Sequence, residues 1–188
     1  MKKLIIIFAI ILQTMTVSSQ ITSKVDFEAY LELSNEVFAY RKDRLINIAT
    51  FLEYAKDKKT VILDTRSKKM YDQKHIKGAI NLNFSDFNQA SLDALFPNPN
   101  TRILIYCNNN IDNDNINFIS KVAIPKKQLG EMAKKFPSKK KPISLALNIP
   151  TFINLYGYGF KNVYELSEMV NIFGGGLIFE GTNTSIFQ

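Results

Sequence analysis

Arg102-Ile103-Leu104-Ile105-Tyr106-Cys107 is the stretch on which the fold turns. After one cation it is an unbroken apolar run, too short for a core helix and rich in residues that suit a strand buried on both faces. The run delivers the sole cysteine of the chain and gives way to Asn108-Asn109-Asn110-Ile111-Asp112-Asn113. Such side chains bond their own backbone and tolerate left-handed conformations, so a loop is expected there. A strand that ends on a sulfur atom and a loop suits an open parallel sheet, where reactive groups gather beyond the carboxyl ends of the strands.

The segments on either side continue the pattern. Upstream, Val61-Ile62-Leu63 reads as a buried strand running into Asp64-Thr65-Arg66, Ser67 to Lys74 as a short helix, and Ala79 to Leu82 as a strand. A helix over Ser85–Phe96, capped by Ser85-Asp86, and a turn at Pro97-Asn98-Pro99-Asn100 complete that half. Downstream, Ser144 to Tyr156 is helical in pattern, with Pro150 either kinking the helix or marking its real start. Val163 to Leu166 is a last core strand, and Gly174-Gly175-Gly176 opens a tail with an edge strand reaching Phe179. At the front, Asp26 can cap an amphipathic helix to about Tyr40. Leu45 to Ile48 is a short apolar run, and Thr50 opens a helix through Lys56. Strands alternating with helices predict an α/β fold whose mostly parallel sheet is covered on both faces.

Met1-Lys2-Lys3 followed by the nine apolar residues Leu4–Leu12 and a small-residue stretch has the layout of a secretory signal peptide. The apolar run is shorter than the ~20 residues that span a bilayer, so no stable membrane insertion is expected after cleavage between Ser19 and Gln20. The expected organisation is a signal peptide over 1–19, a helical cap over 20–44 and one domain over 45–188. The expected location is the periplasm or beyond.

The formal net charge is +7, but residues 121–141 hold eight lysines against Glu131 alone. That segment, with a helix expected over Pro125–Phe136, could be a solvated surface helix. Other readings are a lid that steers anions, or a surface that binds membrane or nucleic acid. It lacks the interleaved aromatics that nucleic acid would call for, and no nucleic-acid partner is expected. One cysteine and one histidine exclude an internal disulfide and a structural zinc site, and no metal or cofactor is expected. An unpaired cysteine in an exported chain is an apolar filler or a reactive thiol; its position at a strand-to-loop turn favours the thiol.

The segments Ile62-Leu63-Asp64-Thr65-Arg66, then Tyr71, then His75-Ile76-Lys77-Gly78-Ala79-Ile80-Asn81 resemble the signature region of rhodanese-like domains. Ile103 to Cys107 resembles their active-site strand and cysteine, and Tyr158 to Leu166 their closing helix-turn-strand. The resemblance covers about residues 45–170, with an insertion at about 114–143. It implies a five-stranded parallel sheet flanked by helices, and a sulfurtransferase that moves a sulfane sulfur from a small anionic donor to a thiol or other thiophilic acceptor. Carried over, Cys107 is the nucleophile and persulfide carrier, and backbone N–H groups of Asn108, Asn109, Asn110, Ile111 and Asp112 form an anion cradle. Asp64, Arg66, His75 and Gly78 match structural positions.

Three departures bear on that implication. Asp112 beside an anionic persulfide would raise the cysteine pKa. The insertion parts the loop from the helix that normally begins directly after it, which would displace that helix dipole from the sulfur. The cation that a phosphatase on this fold needs about six residues after the cysteine is replaced by Asn113, which excludes that chemistry. Alternatives to sulfur transfer are a binding module that recognises a partner protein or anion, and a redox thiol.

Overall fold

The apolar runs become strands at the centre of the molecule. The computed structural model describes residues 23–123 and 143–184. Its strands are β1 (Leu45–Ile46), β2 (Thr60–Asp64), β3 (His75–Ile76), β4 (Ile80–Asn81), β5 (Arg102–Ile105), β6 (Ile111–Asp112), β7 (Val122–Ala123), β8 (Ile143–Ser144), β9 (Val163–Leu166), β10 (Val170–Asn171) and β11 (Phe179–Glu180). Its helices are α1 (Phe27–Arg41), α2 (Ile48–Ala55), α3 (Lys68–Gln73), α4 (Gln89–Leu95) and α5 (Asn148–Gly157). The main sheet has the order β1-β9-β5-β2-β4, and every neighbouring pair is parallel. The central sheet is therefore wholly parallel, not merely mostly so.

Side chains alternate across this sheet and define two cores. Ile103, Ile105, Leu63 and Val163 face Leu92, Phe96, Phe152 and Leu155 of the α4 and α5 layer. Leu104, Tyr106, Ile62 and Leu166 face Phe51, Ile76 and Phe118 on the other side. The amino-terminal helix belongs to the first layer. Val37 is buried there, Tyr40 packs edge-on against Tyr156 with centroids 5.0 Å apart, and the Tyr156 hydroxyl meets Glu36.

Local chemistry moves two boundaries from where the sequence puts them. The helix expected over Ser85–Phe96 is split: Phe84–Asp86 is a single 3-10 turn, and α4 starts after Asn88. Asn88 and Ser91 form a reciprocal capping box there, which satisfies the free amides better than Ser85-Asp86 could. Pro150 does not kink α5. It lies in the first turn of a helix that starts at Asn148, where a missing N–H costs nothing.

The carboxyl-terminal tail does form an edge strand. β11 runs antiparallel to β3, pairing Phe179 with Ile76 and Glu180 with His75. Both described ends of the insertion are held down. Asp114 pairs with the buried Lys74 at 3.0 Å, Phe118 is buried in the second core, and β7 pairs antiparallel with β8. The signal-like segment, the helix expected over Pro125–Phe136 and every lysine of the basic segment except Lys121 lie outside the described residues. Among the described residues no helix is long and apolar enough to cross a membrane.

Candidate active site

Cys107 has an extended backbone (φ −142°, ψ −179°) and caps a 3-10 turn formed by Asn108–Asn110. Two residues beyond Ile105, it continues that residue's parity toward the α4 and α5 layer. Its Sγ accepts a hydrogen bond from the Asn109 N–H at 3.3 Å. Its own N–H donates to Asn110 Oδ1 at 2.9 Å, and its carbonyl accepts from the Asn110 N–H at 3.0 Å. The residue is only 3% exposed, yet it lines a pocket of about 230 Å³. Arg66, Met70, Asn108, Ile119, Lys121 and Leu147 are among the other residues of its wall.

Burial is the largest influence on the thiol and pushes its pKa above the ordinary range. The Asn109 amide pulls the other way, the Glu165 carboxylate adds to the rise, and the amides of Asn148 and Asn110 oppose it. Alkylation by iodoacetamide should therefore keep accelerating with pH, about tenfold per unit, through the usual thiol range near 8.5. A rate already level below about pH 7 would contradict this.

The five loop residues separate into distinct roles. Asn108 and Asn109 work through their side chains as staples for the insertion: Asn108 Nδ2 donates to the Ile119 carbonyl at 2.8 Å. Asn109 Nδ2 donates to Ser144 Oγ at 2.9 Å, while its Oδ1 accepts from the Lys121 N–H at 2.7 Å. Asn110 is buried, and its Nδ2 donates to the carbonyls of Leu166 and Glu168. Ile111 donates its N–H to the Asn108 carbonyl, and β6 lies beside β10. The main-chain amides that face the sulfur are thus those of Asn109 and Asn110, in place of the full run Asn108–Asp112. The carboxylate that acts on it is Glu165; Asp112 is exposed and accepts from the Asn113 N–H.

The insertion does not displace the helix dipole. The start of α5 stays at the thiol turn: Asn148 Nδ2 donates to Asn110 Oδ1 at 3.0 Å, and Leu147 before it lines the pocket. Sequence reasoning missed both Asn148 and Glu165. Two signals pointed to them: a proline two residues after Asn148, which favours a helix start, and an acid in an otherwise apolar strand.

The expected structural residues brace the neighbouring strand end. Asp64 is fully buried and takes Arg66 Nε and Nη2, the latter at 2.6 Å, plus the Tyr106 hydroxyl at 2.5 Å. Arg66 further donates to the carbonyls of Asn117 and Lys74. His75 stacks on Tyr71 at 3.7 Å, and its Nδ1 lies 2.7 Å from the Tyr71 carbonyl; the wall of the Cys107 pocket does not include it. Gly78 has φ +77°, a left-handed turn that an L side chain resists.

A family model described as the rhodanese-like domain matches residues 48–168, most of the chain. The chain belongs to the rhodanese-like domain family. Among solved structures, this rhodanese-like domain is similar to the rhodanese-like domain of the Anabaena protein Alr3790 solved by NMR. That match has 16% identity and a TM-score of 0.42, and it covers 76% of this chain and 82% of the other. A Bacillus halodurans protein, BH2092, is 18% identical with a TM-score of 0.39, covering 72% and 76% of the two chains. No curated protein matches. The family carries sulfur-transfer chemistry, which makes the rhodanese-like domain described here a sulfurtransferase-family module.

Proposed function

We propose that this module is an active sulfurtransferase that holds a sulfane sulfur on Cys107 as a persulfide. The observation that carries the proposal is the sulfur itself. It stands just past the carboxyl end of β5, in the wall of a pocket that also holds Lys121, with the Asn109 N–H donating to it at 3.3 Å. With thiosulfate as donor, the thiol first loses its proton to solvent. The Cys107 thiolate then attacks the outer sulfur of the donor. A bond forms from Sγ to that sulfur, the donor's sulfur–sulfur bond breaks, and sulfite leaves with the bonding pair. An acceptor thiolate, free or on a partner protein, then attacks the outer sulfur and releases Cys107 as thiolate. The Asn109 and Asn110 amides hold the negative charge at Sγ in both steps, as an oxyanion hole does for oxygen. Lys121 supplies positive charge that draws in the small anionic donor.

The pattern over Met1–Ser19 supports export to the periplasm or beyond, with cleavage before Gln20. Recovery of a chain beginning at Gln20 from the periplasmic fraction is the expected result; a chain that retains Met1 and stays in the cytosol would contradict it.

The burial that raises the thiol favours a second reading, a binding module that recognises an anion or a partner protein and turns over little. Thiosulfate and cyanide separate the two. Active transfer yields thiocyanate and sulfite at a rate that climbs with pH and falls to background in Cys107→Ser. No thiocyanate from any sulfane donor would leave the binding module.

A further inference from the structure

Glu165 is 5% exposed and sits on β9 opposite Ile105, on the sheet face that β5 and Cys107 share with α5. A buried carboxylate needs a partner, and Glu165 has a two-pronged one. Arg41, the last residue of α1, donates from Nε to Oε2 and from Nη2 to Oε1, both at 2.6 Å. From the other side, Asn148 Nδ2 donates to Glu165 Oε1 at 3.2 Å and to Asn110 Oδ1 at 3.0 Å. Asn110 Oδ1 in turn holds the Cys107 N–H. The line of contacts therefore runs from the amino-terminal helix to the turn that presents the sulfur. Arg41 lies before residue 48, where the family match begins.

We propose that Arg41 is a positioning residue for Cys107: by pairing with Glu165 it neutralises the buried acid that Asn148 and Asn110 link to the thiol turn, and keeps Asn148 aimed at that turn. This gives α1 a part in the reaction beyond covering α5. The charged groups around the thiol are Glu165 from β9, Arg66 after β2 and Lys121 before β7. Arg66 is committed to Asp64, and Lys121 reaches the pocket from the insertion. Neither compensates Glu165, so that task falls to Arg41.

The proposal concerns the thiol that the sulfurtransferase reading uses, but its test reads ionisation and not turnover, so the two can fail separately. Iodoacetamide alkylation of the full chain would be followed against pH in wild type, Arg41→Lys, Arg41→Met, Glu165→Gln and the Arg41→Met/Glu165→Gln double variant. Arg41→Met should slow alkylation roughly three- to tenfold near pH 8 and move the profile to higher pH. Arg41→Lys, which keeps the charge, should stay near wild type. Glu165→Gln should shift the profile down, and the double variant should recover the rate that Arg41→Met loses. An Arg41→Met profile that overlays wild type would overturn the proposal. So would a double variant as slow as Arg41→Met, because that is the mark of lost packing without a charge effect.

Discussion

Replacing Arg66 with methionine is expected to cost about 3–5 kcal/mol of folding stability in a denaturant titration. The cost does not come from losing an attraction; it comes from what is left behind. Asp64 is fully buried and would keep its charge with only the Tyr106 hydroxyl and the Arg66 backbone N–H as donors. The carbonyls of Asn117 and Lys74 would each lose a guanidinium donor, and Phe118 the cation held 4.5 Å from its ring centroid. Arg66 also joins three pieces of chain: the end of β2, the start of β3 and the entry to the insertion. A loss below about 1 kcal/mol would show that Asp64 finds another partner.

Asn110→Ala is expected to cost roughly 2–4 kcal/mol, because one side chain meets four polar groups, three of them buried. Its oxygen accepts from the Cys107 N–H and from Asn148 Nδ2, and its amide donates to the carbonyls of Leu166 and Glu168. Alanine satisfies none of them, and the site is too enclosed for each group to regain water without local opening. The same substitution frees the turn that presents the sulfur. Alkylation of Cys107 and sulfur loading should therefore both change in Asn110→Ala, whereas Asn98→Ala, at an exposed turn, should leave them unaltered. A stable Asn110→Ala protein with a wild-type thiol profile would show that the turn is held by other means.

The frame of the molecule was legible because it rests on short-range pattern. The run Ile103–Tyr106 is strand-like by composition alone, and Asp26 caps α1 as expected. The site was legible only in part, since its decisive contacts cross long separations. Cys107 could be picked out as a sulfur at a strand end, but Asn148, whose side chain holds Asn110 of its turn, arrives across the whole insertion. Glu165 comes from the next strand, and Arg41 from a helix outside the family match. The asparagine run was misleading in another way. Read as a row of backbone donors, it works largely through its side chains, which tie Ile119, Lys121 and Ser144 to the loop. Nothing in a local window distinguishes those two uses of the same residues.

A sulfur faced by the main-chain amides of Asn109 and Asn110 in the wall of a pocket should accept a sulfane sulfur, whatever the natural donor is. The most direct measurement is the intact mass of the protein after incubation with thiosulfate. The expected result is a gain of one sulfur atom that cyanide removes and that Cys107→Ser never shows. An unchanged mass with thiosulfate and with an alkyl persulfide, or a gain that survives in Cys107→Ser, would contradict it.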